Sequence, residues 1–187
     1  MPLSTPRLTP LADAECTPEQ LALLEELGDG SSLHIFRTLV RHPKLYRRWL
    51  PFAGRLLQGS SLPTRDRELI ILRVAWRSHA AYEWGQHVGI GRSAGLTDAE
   101  IVRVATDAHD ATPSDWSSDD VTLLRAVDQL LDDHAIDDAT WATLTPRYGD
   151  EQLVELTMLT GAYAMLAGTL NSLGVQLEGE QPTLGQV

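Results

Sequence analysis

The sequence predicts an all-α protein, and three observations lead to that prediction. Apolar residues recur at the three- and four-residue spacing of a helix, as at Leu33, Phe36 and Leu39. Helix-start signals precede several of these segments, for example the capping box that begins at Thr97. No stretch alternates apolar and polar residues between turn signals, which is the pattern of a strand. We therefore expect one helical domain without a sheet.

The first half of the chain contains an arm and five predicted helices. Residues 1–16 carry three prolines and no periodicity, so they are expected to form an extended arm. Thr17 caps the first helix, Pro18 occupies its first position and Gly28 ends it. Pro51 is expected to kink or split the third helix. The remaining four helices of this half are predicted at residues 33–41, 44–58, 64–77 and 80–94.

The second half contains four predicted helices and a tail. The last helix runs from Asp150 to Leu173, and Gly174 ends it. A polar loop is expected at 107–116 and a loose polar tail at 177–187, so the helical domain covers 17–176. The three preceding helices begin at the predicted caps Thr97, Ser117 and Asp137, the second reaching Leu131 and the third ending near Tyr148 and Gly149.

Composition and charge exclude several classes of function. Hydrophobic residues make up 43% of the chain, which is ordinary for a globular protein. The net charge of −11 opposes binding to nucleic acid or to an anionic membrane. Cys16 is the single cysteine, so neither an internal disulfide nor a redox pair can form. With no signal peptide or membrane span recognisable, we expect a cytoplasmic protein.

A weak internal repeat relates residues 68–88 to residues 155–175. The second copy has Leu170 and Gly174 where the first has Glu83 and His87. If the repeat is genuine, the first copy carries the chemistry and the second serves as scaffold.

Glu68 is the first candidate for chemistry. It shares an apolar helix face with Leu72 and Trp76. Burial favours the neutral form of a carboxyl group, which suits general acid–base catalysis. The alternative is a buried salt bridge with Arg65 or another arginine.

Glu83 and His87 form the second candidate pair. They are four residues apart and share one helix face, where a carboxylate fixes the imidazole tautomer and raises its basicity. One alternative is a surface ion pair. Another is a metal site formed by His79, Glu83 and His87, with Glu68 as a fourth ligand. That spacing is not the one found in known zinc helices, so we expect no metal.

Three segments resemble a known family. Residues 65–75, 82–87 and 94–97 are similar to the carboxymuconolactone decarboxylase and alkylhydroperoxidase D (AhpD-like) superfamily. The resemblance is strongest across 45–130, with the weak second repeat at 150–175. It implies an AhpD-like helical bundle that forms a homo-oligomer, such as a dimer, trimer or hexamer.

The resemblance also bears on the chemistry. The peroxidase branch of the superfamily has Glu, then Cys-x-x-Cys, then His. Glu68 and His87 match the outer positions, but Ala80 and Glu83 stand where the cysteines would be. Peroxide reduction needs a thiolate and a resolving thiol, so typical thiol peroxidase activity is disfavoured. The decarboxylase branch lacks the cysteines and has a histidine at the position of His87.

We therefore expect a cofactor-free acid–base enzyme, a lyase or isomerase. Its substrate would be a small organic acid, a lactone or another enolisable metabolite, and the reaction a decarboxylation, isomerisation, elimination or cyclisation. One alternative is an oligomeric binding protein without catalysis. The other is an atypical peroxidase or a metal-dependent oxidoreductase.

Each candidate residue has an expected role. His87 would move the proton, Glu83 would orient His87, and Glu68 would be a second acid or base. The other site residues would be two hydrogen-bond donors to a developing oxyanion, Tyr82 and His79, and two pocket walls, Trp76 and Trp84.

Overall fold

A computed structural model describes Leu3 and residues 5–105 and 116–187. Over those ranges the chain is helical and has no strand, so the all-α prediction is confirmed. Of the polar loop predicted at 107–116, all but Trp116 lies outside the described residues. The helices are α1 (Pro18–Glu25), α2 (His34–Leu39), α3 (Pro43–Leu57), α4 (Thr64–Arg77), α5 (Ala81–Ser93), α6 (Asp98–Val104), α7 (Ser118–Asp132), α8 (Asp138–Leu144) and α9 (Asp150–Leu173).

Helix α4 lies at the centre of the fold. Ten of its fourteen residues are buried, and it packs against α5, α7 and α9. Six of the buried residues are apolar (Leu69, Ile70, Ile71, Leu72, Val74 and Ala75), and burial on more than one side is typical of a core helix. Each fully buried Leu or Ile contributes roughly 1.5–3 kcal/mol, so α4 fixes the positions of its neighbours. Arg73 joins it to α7 by two bonds to Asp128, at 2.8 and 2.7 Å.

Pro51 does not split the third helix, although a split was one of the two outcomes expected from the sequence. Helix α3 continues through it from Pro43 to Leu57. A proline removes one helical hydrogen bond and strains the turn before it. Pro51 lies on the exposed side of α3, where water can bind the carbonyl that loses its partner. The opposite side of α3 packs inward, and that packing outweighs the local cost.

The sequence repeat does not correspond to a structural repeat. Its first copy forms two helices, α4 and α5, with a bend at 78–80 where His79 has φ +53°. Its second copy lies within α9, a single helix that ends at Leu173 before Gly174, whose φ is +69°. The repeat therefore predicted neither the bend nor the length of α9.

Both ends of the chain pack against the helical domain. Arg7 in the arm donates its backbone N–H to the carbonyl of Leu173 at 2.9 Å. The tail at 177–187 is packed rather than loose, since Trp84 Nε1 donates to the Gln186 carbonyl at 2.8 Å. The polar composition of the tail predicted that it would be loose. That prediction failed because the tail is held by contacts with residues distant in sequence, which its own composition does not reveal.

Helix α9 has 24 residues and a mean hydropathy of 1.4 in its most apolar window, values that a membrane span also reaches. In this structure 44% of that window is buried against other helices, including Leu156 and Leu159. The packing of α9 is that of a core helix.

Candidate active site

A cavity of about 200 Å³ lies between α2, α3, α5 and α9. An engineered apolar cavity of about 150 Å³ holds benzene, so this one has room for a single-ring molecule. Most of the wall is apolar, including Phe36, Trp49, Ile90 and Leu166. The polar side chains in the described wall are Gln58, Tyr82, Glu83, Gln86, His87 and Tyr163.

His87 and Glu68 form a buried hydrogen-bonded pair. His87 Nδ1 lies 2.8 Å from Glu68 Oε2, and Arg67 Nε donates to Glu68 Oε1 at 2.9 Å. Glu68 has no exposed surface, and Arg67 and His87 are buried beside it. The carboxylate accepts from Nδ1–H and so fixes the tautomer of the ring. The lone pair of the neutral imidazole is then on Nε2.

Tyr163 on α9 faces that nitrogen. Its hydroxyl oxygen lies 3.3 Å from His87 Nε2, and the two rings meet edge to face with centroids 5.3 Å apart. Burial, with the nearby charge of Glu68, raises the pKa of Tyr163, so its hydroxyl stays neutral. At 3.3 Å this hydrogen bond is long and therefore weak, so a ligand that competes for Nε2 has little to displace. Sequence reasoning missed Tyr163 because it lies in the regular apolar pattern of α9.

Glu83 does not orient His87, and this expectation was wrong. The residues share a face of α5, but the imidazole bonds Glu68 on the neighbouring helix. Both carboxyl oxygens of Glu83 lack a hydrogen-bond partner among the described residues, although Glu83 is only 2% exposed. Burial raises the pKa of Glu83 well above its usual value. Glu83 lines the cavity, and in its protonated form the carboxyl has one O–H to donate.

Glu68 holds His87 in place and does not face the cavity as a second acid or base. Its two oxygens are occupied by Arg67 and His87, and it is not part of the cavity wall. The salt-bridge alternative therefore applies as well, with Arg67 as the partner. Arg65 instead binds Asp120 at 2.8 Å and Glu100 at 2.5 Å.

Tyr82 forms part of the wall, but its hydroxyl is already engaged. It donates to Glu178 Oε1 at 2.8 Å and accepts from the Ile35 N–H at 3.3 Å. Gln86 Nε2 donates to Glu178 Oε2 at 2.6 Å. Tyr82 is therefore a wall residue held by the tail and not the expected donor to an oxyanion. Glu178 was missed because it lies in a segment predicted to be loose.

Removing the Glu178 carboxylate should destabilise this wall. A hydrogen bond to a charged group contributes roughly 1.5–3 kcal/mol, and Glu178 is partly exposed, so we expect Glu178→Ala to cost about 1–3 kcal/mol. At this chain length each kcal/mol lowers the melting temperature by roughly 2–4 °C. Thermal unfolding measures the effect, with Glu180→Ala in the exposed part of the tail as the charge-matched control. Equal melting temperatures for the two variants would show that the tail does not hold the wall.

Besides Glu68, three more of the predicted site residues lie outside the cavity wall: His79, Trp76 and Trp84. His79 is exposed in the bend before α5, so it shares no stripe with Glu83 and His87. Trp84 is fully buried and packs against Trp76, with ring centroids 6.3 Å apart. A single stripe of His79, Glu83 and His87 needs one unbroken helix, whereas α5 begins at Ala81. The bend also separates the proposed metal ligands, and within the described part of the chain no three His, Cys, Asp or Glu side chains form a metal-binding group.

Comparison with solved structures identifies the fold as that of AhpD-like proteins. An uncharacterized peroxidase-related protein with the AhpD core, from Ralstonia eutropha JMP134, has a TM-score of 0.75 and 17% identity over 91% of this chain and 93% of its own. Another uncharacterized peroxidase-related protein, from Silicibacter sp. TM1040, has a TM-score of 0.74 and 16% identity, and the match covers 98% of this chain and 94% of its own. A third structure is the debrominase Bmp8, a cysteine-to-alanine variant in complex with 2,3,4-tribromopyrrole. It has a TM-score of 0.74 and 13% identity, and the match covers 96% of this chain and 95% of its own.

Sequence comparison adds a match over part of the chain. Residues 43–117, which contain Glu68 and His87, match the carboxymuconolactone decarboxylase family. The matched stretch includes residues 65–75, 82–87 and 94–97, the segments in which the sequence resembles that superfamily. No curated protein matches the chain.

Proposed function

We propose that this protein is a cofactor-free acid–base enzyme, a lyase or isomerase, that moves a proton on a small enolisable compound or lactone. The observation that supports it best is that a neutral carboxyl, Glu83, and an oriented imidazole, His87, line one apolar cavity. Two titratable groups in contrasting environments are the usual arrangement of an acid and a base. The match of residues 43–117 to a family named for a decarboxylase supports an enzyme, and the type of reaction is our proposal.

The geometry suggests a division of labour. His87 Nε2 takes a proton from the carbon beside a carbonyl group, and Glu68 stabilises the imidazolium that forms. Glu83 donates to the carbonyl oxygen, so the negative charge of an enolate does not develop in an apolar site. Returning the proton to a different carbon completes an isomerisation, and loss of a leaving group beside the enol completes an elimination.

Deuterium exchange tests this proposal even when the final product is unidentified. The protein is incubated in D2O with a panel of lactones, cyclic ketones and keto acids, and NMR follows deuterium at the carbon beside the carbonyl. The panel includes 2,3,4-tribromopyrrole as a binding probe, since a structural neighbour is a debrominase bound to it. We expect exchange with the wild type, none with His87→Ala, and full exchange with His134→Asn, an exposed histidine in a positive-φ position.

One outcome would favour the alternative. If the wild type binds members of the panel but exchanges none of them, the protein is a binding protein on an enzyme fold and the proposal fails.

The protein should lack thiol peroxidase activity. Cys16 is half-buried beside Leu11 and Leu23 and does not line the cavity, and Ala80 and Glu83 offer no thiol. We expect wild type and Cys16→Ser to consume an organic hydroperoxide at the same background rate in the presence of a thiol reductant. Hydroperoxide turnover that disappears in Cys16→Ser would show that this thiol reacts after all.

We also propose that the protein is a homo-oligomer, a dimer, trimer or hexamer. Val154, Met158 and Met165 are exposed on one face of α9, and such apolar stripes are often covered by a partner. Light scattering across a range of concentrations measures the assembly. A monomer at every concentration would disprove this proposal.

A further inference from the structure

We propose that the cavity takes an uncharged carbonyl compound of single-ring size, such as a lactone, an ester or a cyclic ketone, and rejects the matching free carboxylate. This inference rests on the proposed function and narrows its substrate class. It follows from the charges around the cavity, the unpaired Glu83 carboxyl and the shape of the wall.

The described wall lacks the permanently charged side chains that usually bind a carboxylate. Among the described residues that line the cavity there is no arginine or lysine. Arg67 lies behind His87, with Nε and Nη2 each 2.9 Å from Glu68 Oε1. Proteins commonly bind carboxylates with arginine forks, and an unpaired charge is costly to bury in an apolar site. A carboxylate ligand here would also lie close to the negative charge of Glu68.

Glu83 supplies the opposite preference. Its neutral carboxyl lines the cavity, and neither oxygen has a hydrogen-bond partner among the described residues. A carbonyl oxygen accepts one hydrogen bond from that O–H and brings no charge with it. Sites with an unpaired buried polar group discriminate strongly in favour of ligands that satisfy it. Glu83 is therefore both the acid and the determinant of the substrate class.

The remaining wall fits the ring of such a compound. Trp49 and Phe36 contribute flat aromatic surfaces, and Ile90 and Leu166 add apolar contacts. A volume of about 200 Å³ accommodates one ring with a short substituent. Together these features describe a ligand that is apolar except at one carbonyl group.

The test measures binding, which does not depend on turnover. Methyl cyclohexanecarboxylate and cyclohexanecarboxylate have similar shapes and differ in charge, so calorimetry or ligand-observed NMR near pH 7 compares them directly. We expect the ester to bind at least about 100-fold more tightly than the carboxylate. Equal affinities, or tighter binding of the carboxylate, would overturn the inference.

Two variants locate the source of the preference. Glu83→Leu should weaken ester binding by about tenfold or more, because the hydrogen-bond donor is lost. Glu83→Gln should retain most of it, since the amide N–H can donate to the same oxygen. Unchanged ester affinity in Glu83→Leu would show that Glu83 does not contact the ligand.

The outcome is distinguishable from failure of the proposed function. If the wild type prefers the ester and Glu83→Leu does not, but no compound undergoes exchange, the ligand class stands and catalysis fails. If the wild type exchanges carboxylates as fast as neutral compounds, catalysis stands and this inference fails.

Discussion

Replacing His87 with alanine is expected to lower the rate of deuterium exchange by about 10²–10⁴-fold while the fold remains intact. The imidazole lines the cavity with Nδ1 held by Glu68, so Nε2 is left as the base, and Tyr163 beside it stays neutral and is a poor base. The rate is measured by NMR on the best compound of the panel. Circular dichroism and thermal unfolding check that the variant is folded.

Glu68→Gln separates a positioning role from a purely structural one. The amide keeps the shape and can accept from His87 Nδ1, but it carries no charge to stabilise the imidazolium. Because that charge matters only when the proton moves, kcat should fall by about 10–100-fold with little change in KM. If the pair were only structural, His87→Ala and Glu68→Gln would both have lower melting temperatures, and the fraction that remains folded would keep full activity.

Replacing Glu83 with leucine is expected to abolish exchange and at the same time stabilise the protein. The buried carboxyl has no partner in the described structure, and an unsatisfied buried polar group costs roughly 1–3 kcal/mol. An apolar side chain of similar size removes that cost, as is common where a site sacrifices stability for activity. The melting temperature should rise by roughly 2–4 °C for each kcal/mol gained.

The stability that Glu83→Leu gains over the wild type should depend on pH. Burial raises the pKa of Glu83 in the folded state, so the unfolded chain releases this proton at a lower pH than the folded chain does. Wild-type stability therefore falls as the pH rises from the unfolded pKa towards the folded one. We expect the gain in free energy of unfolding of Glu83→Leu over the wild type to be larger at about pH 8 than at about pH 4. An equal gain at both pH values would mean that Glu83 ionises normally in the folded protein.

Local signals in the sequence were sufficient for most of the helices. The bounds of α4 and α9 follow from apolar runs and from Gly174, which are features of neighbouring residues. Pro51 was misjudged because its cost depends on which side of α3 faces water. The packed tail could not be predicted either, since its contacts with α5 join residues far apart in the chain.

The site was predicted only in part, because local signals identify single residues but not the contacts between distant ones. Glu68 and His87 could be identified from an unusual polar residue on an apolar face and from a family motif. The spacing of Glu83 and His87 predicted a pair within one helix, whereas the buried contact formed with Glu68 on α4. Tyr163 was not identified because a buried tyrosine in a core helix has no distinguishing pattern.

The central claim is that a neutral Glu83 lies in the same cavity as the base His87. Carbon-13 NMR of the glutamate side-chain carboxyls tests it directly, with Glu83→Gln assigning the Glu83 signal by its disappearance. Burial raises the pKa of Glu83, so we expect its carboxyl to keep its proton to a higher pH than ordinary exposed carboxyls do. A Glu83 signal that titrates together with the exposed carboxyls would contradict the account.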